Sequence, residues 1–355
     1  MDRKQLPLVS VIVPSYNMEE YIAQTLDSAI GSSYENIEVI VVDDGSRDGS
    51  LAVAQRYAEK ESRIRVFAQA NQGVSVARNL ALKESQGKYI LPLDADDIIE
   101  PNFISEAVEV MERDSEVKAV TCRCMFFGNR TGEWNLPDFN LHKLATDNRL
   151  CATSMYRRED AVRIGGYSEI VIAREDWEFW ISMLKNGGKV IKLPSVGFHY
   201  RVRAASKRFR DRGRKAQTIA ELNRIHPDFF ERELGGELHL QRSQSKLRNN
   251  IYRLFHPRKV HIAQGWESLE WYIKALPRIV EYAKENCSCN GDLIPVTLAG
   301  KEFWVKVWNG GFGTKNNSPA EKLFASGLEG YTPVAYYAES SWLGQTKSYC
   351  LFVKQ

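Results

Sequence analysis

Three carboxylates, Asp94, Asp96 and Asp97, crowd the stretch LPLDADD (91–97) at the end of an apolar run. Carboxylates at the mouth of a buried strand add little to a fold, whereas a divalent cation carrying a diphosphate needs ligands there. The loop points to nucleotide chemistry. Asp43 and Asp44 close a second apolar run, IEVIVV (37–42), although a pair followed by Gly45 also suits a turn. A third acidic pair, Glu175 and Asp176, opens a segment in which Trp177, Trp180, Ile181 and Leu184 share one helical face.

The elements that must position these groups alternate between apolar β-like runs and helix-period segments, the pattern of a mainly parallel sheet covered by helices. Strands are expected at 9–13, 37–42, 64–68, 89–93, 117–122 and 152–156. Between the first two, Ile22, Leu26, Ala29 and Ile30 fall on one helical face, with Asn17 and Glu20 spaced as a capping box and Gly31 suited to the helix end. Further helices are expected over 50–59, over 74–85 and after Pro101. Residues 128–148 lack periodicity and read as substrate-facing loops. In such open sheets ligands bind beyond the carboxyl ends of the strands, where Asp43, Asp44 and Asp94 sit.

The chain has 355 residues, 43% hydrophobic and 26% charged, an ordinary globular composition with room for one large α/β domain and a smaller one. No run is long enough to cross a bilayer and the opening MDRKQLPL is no secretory signal, so a cytosolic protein is expected. Six scattered cysteines read as thiols. The pairs Cys122/Cys124 and Cys287/Cys289 could in principle bind zinc, but their spacing is too short for the usual site, and small half-buried positions are the plainer reading. Net charge is +3, yet 201–259 alone carries an excess of about +10. In that segment Leu240, Leu247, Ile251, Leu254 and Phe255 share a face, with Arg242, Lys246, Arg248 and Arg253 around it.

Three segments in order, VSVIVPSYN (9–17), VVDDGSRDGS (41–50) and LDADD (93–97), resemble glycosyltransferase family 2 over about 8–206. The resemblance implies the GT-A fold, a Rossmann-like mainly parallel sheet with helices on both faces. It places Pro14, Tyr16, Asn17, Asp43 and Asp44 around the donor nucleotide, a carboxylate being able to accept from a uracil N–H or ribose hydroxyls. GVSVARNLAL (73–82) resembles the segment whose arginine faces the diphosphate, which assigns Arg78 there with Asn79 beside it. Asp94 and Asp96 match the D-x-D, with Asp94 near the ribose and both on Mg²⁺ or Mn²⁺. REDWEFW (174–180) resembles the element bearing the catalytic base, which assigns Asp176 to that role and Glu175 to its support. Gly165, Gly166 and Trp177 fall on the acceptor side. Where relatives carry a histidine in Y-R-x-H, this chain has Arg203, and His199 lies four residues earlier.

The implied activity is an inverting, hexosyltransferase-type, metal-dependent transfer from a nucleotide sugar, UDP-linked by family likelihood, to a glycan or lipid-linked glycan of the cell surface. Three segments are expected: a GT-A domain (1–206), a basic helical region (207–257) and a small α+β tail (258–355). The basic region suits peripheral contact with anionic lipid at the inner face of the membrane, and equally a solvated helical face. From about Leu293 the tail resembles the start of a lipopolysaccharide-kinase or protein-kinase-like lobe, with Lys306 and Glu321 as the lysine–glutamate pair, but no H-R-D or D-F-G follows. The alternatives are a nucleotidyltransferase on the same sheet, which would need a G-x-G-T-R-type loop where PSYNMEE stands, and a non-catalytic basic binding module. No motif for RNA binding is present, and nucleic acid is not an expected partner.

Overall fold

The computed structural model describes residues 6–203, 211–286, 293–312, 318–341 and 345–355. They form two compact units, Met1–Thr218 and Ile219–Gln355. Residues from 219 to 257 therefore fall within the second unit.

The first unit is built on β1 (Val9–Ser15), β2 (Ile37–Asp43), β3 (Ile64–Ala68) and β4 (Tyr89–Pro92), all parallel, with β1 between β2 and β4. β1 and β4 are buried along their whole length, and this two-sided burial is why they read as continuous apolar runs. The sheet extends through β5 (Ile98–Ile99), β6 (Val117–Gly128), β7 (Gly132–Trp134), β8 (Met155–Arg157) and β9 (Lys189–Val202), in the order β3-β2-β1-β4-β8-β6-β9-β5 with β7 on β6. β8 runs antiparallel to both β4 and β6 and so joins two parallel halves.

Helices cover both faces. Val9, Val11, Val13, Val39 and Val41 share one core with Ile22 and Leu26 of α1 (Ile22–Ile30), Ala54 of α2 (Ser50–Lys60) and Phe103 of α4 (Phe103–Arg113). The alternate residues Ile12, Ile40 and Val42 are equally buried and face the other way, the side taken by α3 (Val74–Glu84). The first unit continues with α5 (Leu141–Leu144), α6 (Arg158–Arg163) and α7 (Glu175–Leu184).

Several local expectations need correction. Asn17 and Glu20 do not box the start of α1, whose N-cap is Tyr21. Asn17 is left-handed (φ 54°) and its Oδ1 accepts from the Arg47 N–H at 2.8 Å, which ties the β1 loop to the β2 loop. The 128–148 stretch holds β7 and α5 rather than loops alone. β9, at 14 residues the longest strand, is hidden in the sequence by Pro194, Gly197 and interspersed charges.

The second unit has α8 (Lys215–Ile225, which crosses the division), α9 (Pro227–Leu234), α10 (Ser245–Phe255), α11 (Glu270–Asn286) and α12 (Pro319–Ser326). With them goes an antiparallel sheet of β10 (Arg258–Ile262), β11 (Leu293–Leu298), β12 (Lys301–Phe312), β13 (Tyr331–Ser340) and β14 (Gln345–Lys354), in the order β10-β13-β14-β12-β11. The expected hairpin is there: Ala299 and Gly300 both take positive φ (48° and 75°), the two-residue turn that matches strand twist. Glu321 pairs with Lys259 at 2.5 Å.

Cys122, Cys124, Cys151 and Cys350 are free and buried, whereas Cys287 and Cys289 lie outside the described residues. The Cys124 thiol is held protonated first by its contact with Cys122, the Cys151 thiol by Cys124 and by burial, and burial pushes Cys350 up to about 12. The thiolate is the nucleophile, so iodoacetamide at pH 8 should leave these three unlabelled in the folded chain and label them in urea. Native-state labelling of Cys151 seen in peptide mass spectra would contradict this burial.

Candidate active site

The acidic strand ends converge beyond β1, β2 and β4, but their carboxylates have divided the work. Asp43 is 2% exposed; its Oδ2 accepts from the Ser46 N–H at 2.9 Å, while its Oδ1 is buried without a hydrogen-bond partner. The Ser15 hydroxyl, at the end of β1, is likewise buried and unpartnered. Such groups are costly unless something else satisfies them. Asp44 is spent on the fold: its carboxylate accepts from the backbone of Gln72 and Gly73, at 2.8 Å each, and from the side chains of Gln69 and Asn71. It staples 69–73 to the end of β2, and no oxygen remains free for a donor. Pro14 is buried within β1, Tyr16 is half-buried and Asn17 exposed.

In the 94–97 loop each aspartate has a different neighbour. Asp94 Oδ1 meets Arg78 Nη2 at 2.7 Å and its side chain is 36% exposed. Asp96 Oδ2 lies 2.7 Å from Arg203 Nε, and burial followed by the charge of Asp94 pushes its carboxyl up. Asp97 is 1% exposed and accepts from the Arg201 N–H at 2.7 Å, which pins β9 to the loop. Burial, then Asp96 and Asp94, push Asp97 well above the usual carboxylate range. Arg203 therefore occupies the position beside Asp96, and His199 does not: its Nε2 meets Glu100 Oε1 at 2.6 Å. Among the described residues no three His, Cys, Asp or Glu side chains gather as a metal cage.

Arg78 was expected on the diphosphate, but it is 2% exposed and bridges two carboxylates. Its Nη1 meets Glu175 Oε1 at 3.1 Å opposite the Asp94 contact, and its guanidinium lies 5.2 Å from the centre of the Tyr167 ring. Burial opposes its charge, yet Asp94 and Glu175 outweigh that and hold it protonated. Arg78 is thus a strut between the 94–97 loop and the first turn of α7, and Glu175 anchors that strut.

Asp176 is only partly buried, in the same first turn. Its Oδ2 accepts from Asn148 Nδ2 at 2.7 Å and its Oδ1 from the Trp177 N–H at 2.9 Å. The preceding Arg174 is left-handed (φ 61°, ψ 40°), a conformation uncommon outside glycine and enriched where a site is held in place. Asn148 is a site residue that sequence reasoning missed, since a lone asparagine in a loop carries no signal. Trp177 must be reassigned: it is 0% exposed and its indole N–H donates to the Leu144 carbonyl at 2.8 Å, which makes it core.

Asn79 and Gly166 prove to be one device. Asn79 Oδ1 accepts from the Tyr167 N–H at 2.7 Å and its Nδ2 donates to the Tyr167 carbonyl at 2.9 Å, so the amide clasps the loop instead of a donor. A Cβ on Gly166 (φ 79°) would stand 2.5 Å from that oxygen, whereas Gly165 faces open space. Gly166→Ala should cost about 1–3 kcal/mol in urea unfolding; a change within experimental error would mean that the clasp carries no strain.

With this geometry in view, comparison with known proteins identifies the chain. The family described as Glycosyl transferase family 2 matches residues 10–167. TuaG of Bacillus subtilis, described as a putative teichuronic acid biosynthesis glycosyltransferase, is 34% identical over 187 residues, 51% of this chain and 73% of its own length. The chain belongs to glycosyl transferase family 2. An uncharacterized glycosyltransferase of Haemophilus influenzae is 28% identical over 302 residues, 79% of this chain and 92% of that one. Among solved structures, residues 1–349 of S. aureus TarS in complex with UDP-GlcNAc superpose with a TM-score of 0.54 at 21% identity, covering 78% of this chain and 80% of that one. At that identity the likeness is one of fold, and it agrees with the expected GT-A sheet. Membership of this glycosyltransferase family displaces the nucleotidyltransferase and binding-module alternatives. None of these likenesses is to a kinase, and the kinase-like reading of the tail is not supported.

Proposed function

We propose that this glycosyltransferase moves a sugar from a nucleotide donor, UDP-linked, to a hydroxyl of a cell-surface glycan with inversion at the anomeric carbon. The observation that carries the reading is the buried, unpartnered Oδ1 of Asp43, which a base N–H or ribose hydroxyl would satisfy. The teichuronic acid role described for TuaG and the UDP-GlcNAc held by TarS support the substrate class.

In this reading Asp176, partly open to solvent and oriented by Asn148, takes the proton of the acceptor hydroxyl as its oxygen bonds to the anomeric carbon. The bond from that carbon to the diphosphate oxygen breaks on the opposite face, and the nucleoside diphosphate leaves. The Arg203 guanidinium beside Asp96 meets the negative charge gained by the leaving group. Asp94 and Asp96 suit a Mg²⁺ or Mn²⁺ ion, since each has one oxygen directed to an arginine, and such ions bind through one or two carboxylates plus phosphate oxygens. When bound, that ion would supply Lewis-acid stabilisation of the departing diphosphate. Arg78 and Glu175 keep Asp94 and the first turn of α7 in register.

The reading is tested by incubating the protein with UDP-, GDP- and dTDP-sugars and measuring release of the nucleoside diphosphate with either metal. Slow hydrolysis confined to UDP-sugars is expected; no release from any of the donors would sink it.

A further inference from the structure

Helix α10 is seated the wrong way round for a soluble protein. Its sequence, SKLRNNIYRLF, carries the apolar set Leu247, Ile251, Leu254 and Phe255 at i, i+4, i+7 and i+8, a spacing that normally marks the face turned to a core. Here that face points to solvent: Leu247 is 62%, Ile251 50%, Leu254 76% and Phe255 44% exposed, and Leu240 just before the helix is 51% exposed.

The helix is instead anchored by polar groups on its other side. Ser245 and Asn249 are buried; the Ser245 hydroxyl accepts from the His239 N–H, and Asn249 Nδ2 donates to the carbonyls of Leu234 and Glu237. Arg253 reaches the fully buried carboxylate of Glu231 at 2.7 Å, which Arg258 also meets at 2.9 Å. These contacts fix the rotation of α10, so its apolar face cannot turn inward without stranding Asn249 and taking from Glu231 one of its two arginines.

The flanks say what that face fits. At 3.6 residues per turn, Lys246 and Arg248 lie about 100° to either side of Leu247, both exposed, and α10 contains no Asp or Glu. An apolar stripe bordered on both sides by cations is the geometry of a helix lying in a bilayer interface, with its leucines among acyl chains and its cations at anionic headgroups. A second copy of the same face would offer those cations no counter-charge.

We propose that α10, with Leu240, is an interfacial helix that docks the protein on an anionic lipid bilayer. This property goes beyond the transfer reaction and is independent of it.

The test is co-sedimentation of the full chain with vesicles of phosphatidylcholine plus phosphatidylglycerol, against vesicles of phosphatidylcholine alone. Binding to the anionic vesicles is expected, weakening as salt rises. Lys246→Gln with Arg248→Gln should lower the partition on the order of thirtyfold, as two headgroup contacts are lost. Leu247→Ser, Ile251→Ser and Leu254→Ser together should lower it on the order of a hundredfold, with near-ultraviolet circular dichroism unchanged because all three side chains are exposed. Equal binding of wild type and both variants would overturn the proposal. So would absence of vesicle binding together with a dimer in light scattering that the serine variant dissolves, which would make the face a contact between copies.

Discussion

Asp176→Asn should cut release of nucleoside diphosphate from the donor by about 10²–10⁴-fold, the range a positioned general base supplies, and lower stability by only about 1 kcal/mol. The loss is small because the new side chain keeps the shape of the old. Its oxygen can still accept from the Trp177 N–H, and the contact with Asn148 is the one bond at risk, since that amide cannot turn without giving up the bond its oxygen accepts from the Leu150 N–H. Basicity is what disappears. The competing view, that Asp176 merely favours the start of α7, predicts the same small loss of stability from one fewer negative charge at a helix N-terminus but turnover within a few-fold of wild type. Initial rates, measured alongside urea midpoints on one preparation, separate the two.

Arg78→Met should destabilise the first unit by about 3–5 kcal/mol, because it removes the buried cation that both Asp94 and Glu175 meet. Most of that cost falls on Glu175, whose side chain is 9% exposed, since Asp94 at 36% can turn to water. Adding Glu175→Gln to Arg78→Met should therefore recover part of the loss, although Glu175→Gln alone destabilises. That sign reversal in a double-mutant cycle identifies a strut. If Arg78 instead served only the donor, its replacement would abolish nucleotide binding with an unchanged urea transition, and the cycle would be additive.

The parallel core was legible because β1, β2 and β4 read as continuous apolar runs and β2 and β4 lead straight into aspartates, and neither pattern depends on distant parts of the chain. The 94–97 loop and the acidic start of α7 at Glu175 and Asp176 could be read for the same reason. What could not be read is which partner each side chain takes. A carboxylate at a strand end looks the same whether it faces a ligand, as Asp43 is proposed to do, or a neighbouring loop, as Asp44 does with 69–73. Arg78, Asn79 and Trp177 each stand where a substrate residue was expected, yet their partners, Glu175, Tyr167 and Leu144, are remote in sequence. Periodicity identified the apolar face of α10 but not its outward direction, which is set by Glu231 and Asn249 through contacts that leave no periodic trace. The substitution of Arg203 for the usual histidine was visible, and its ion pair with Asp96 shows how this chain fills that position.

The proposed division of the site into a donor corner and a separate base is tested most directly by calorimetric titration of UDP, with Mn²⁺ present, into wild type, Asp96→Ala and Asp176→Asn. The division predicts binding to wild type, equal binding within about twofold to Asp176→Asn, and a loss of tenfold or more in Asp96→Ala, which removes a proposed ligand of the metal. Unchanged binding in Asp96→Ala, or its loss in Asp176→Asn, would contradict it.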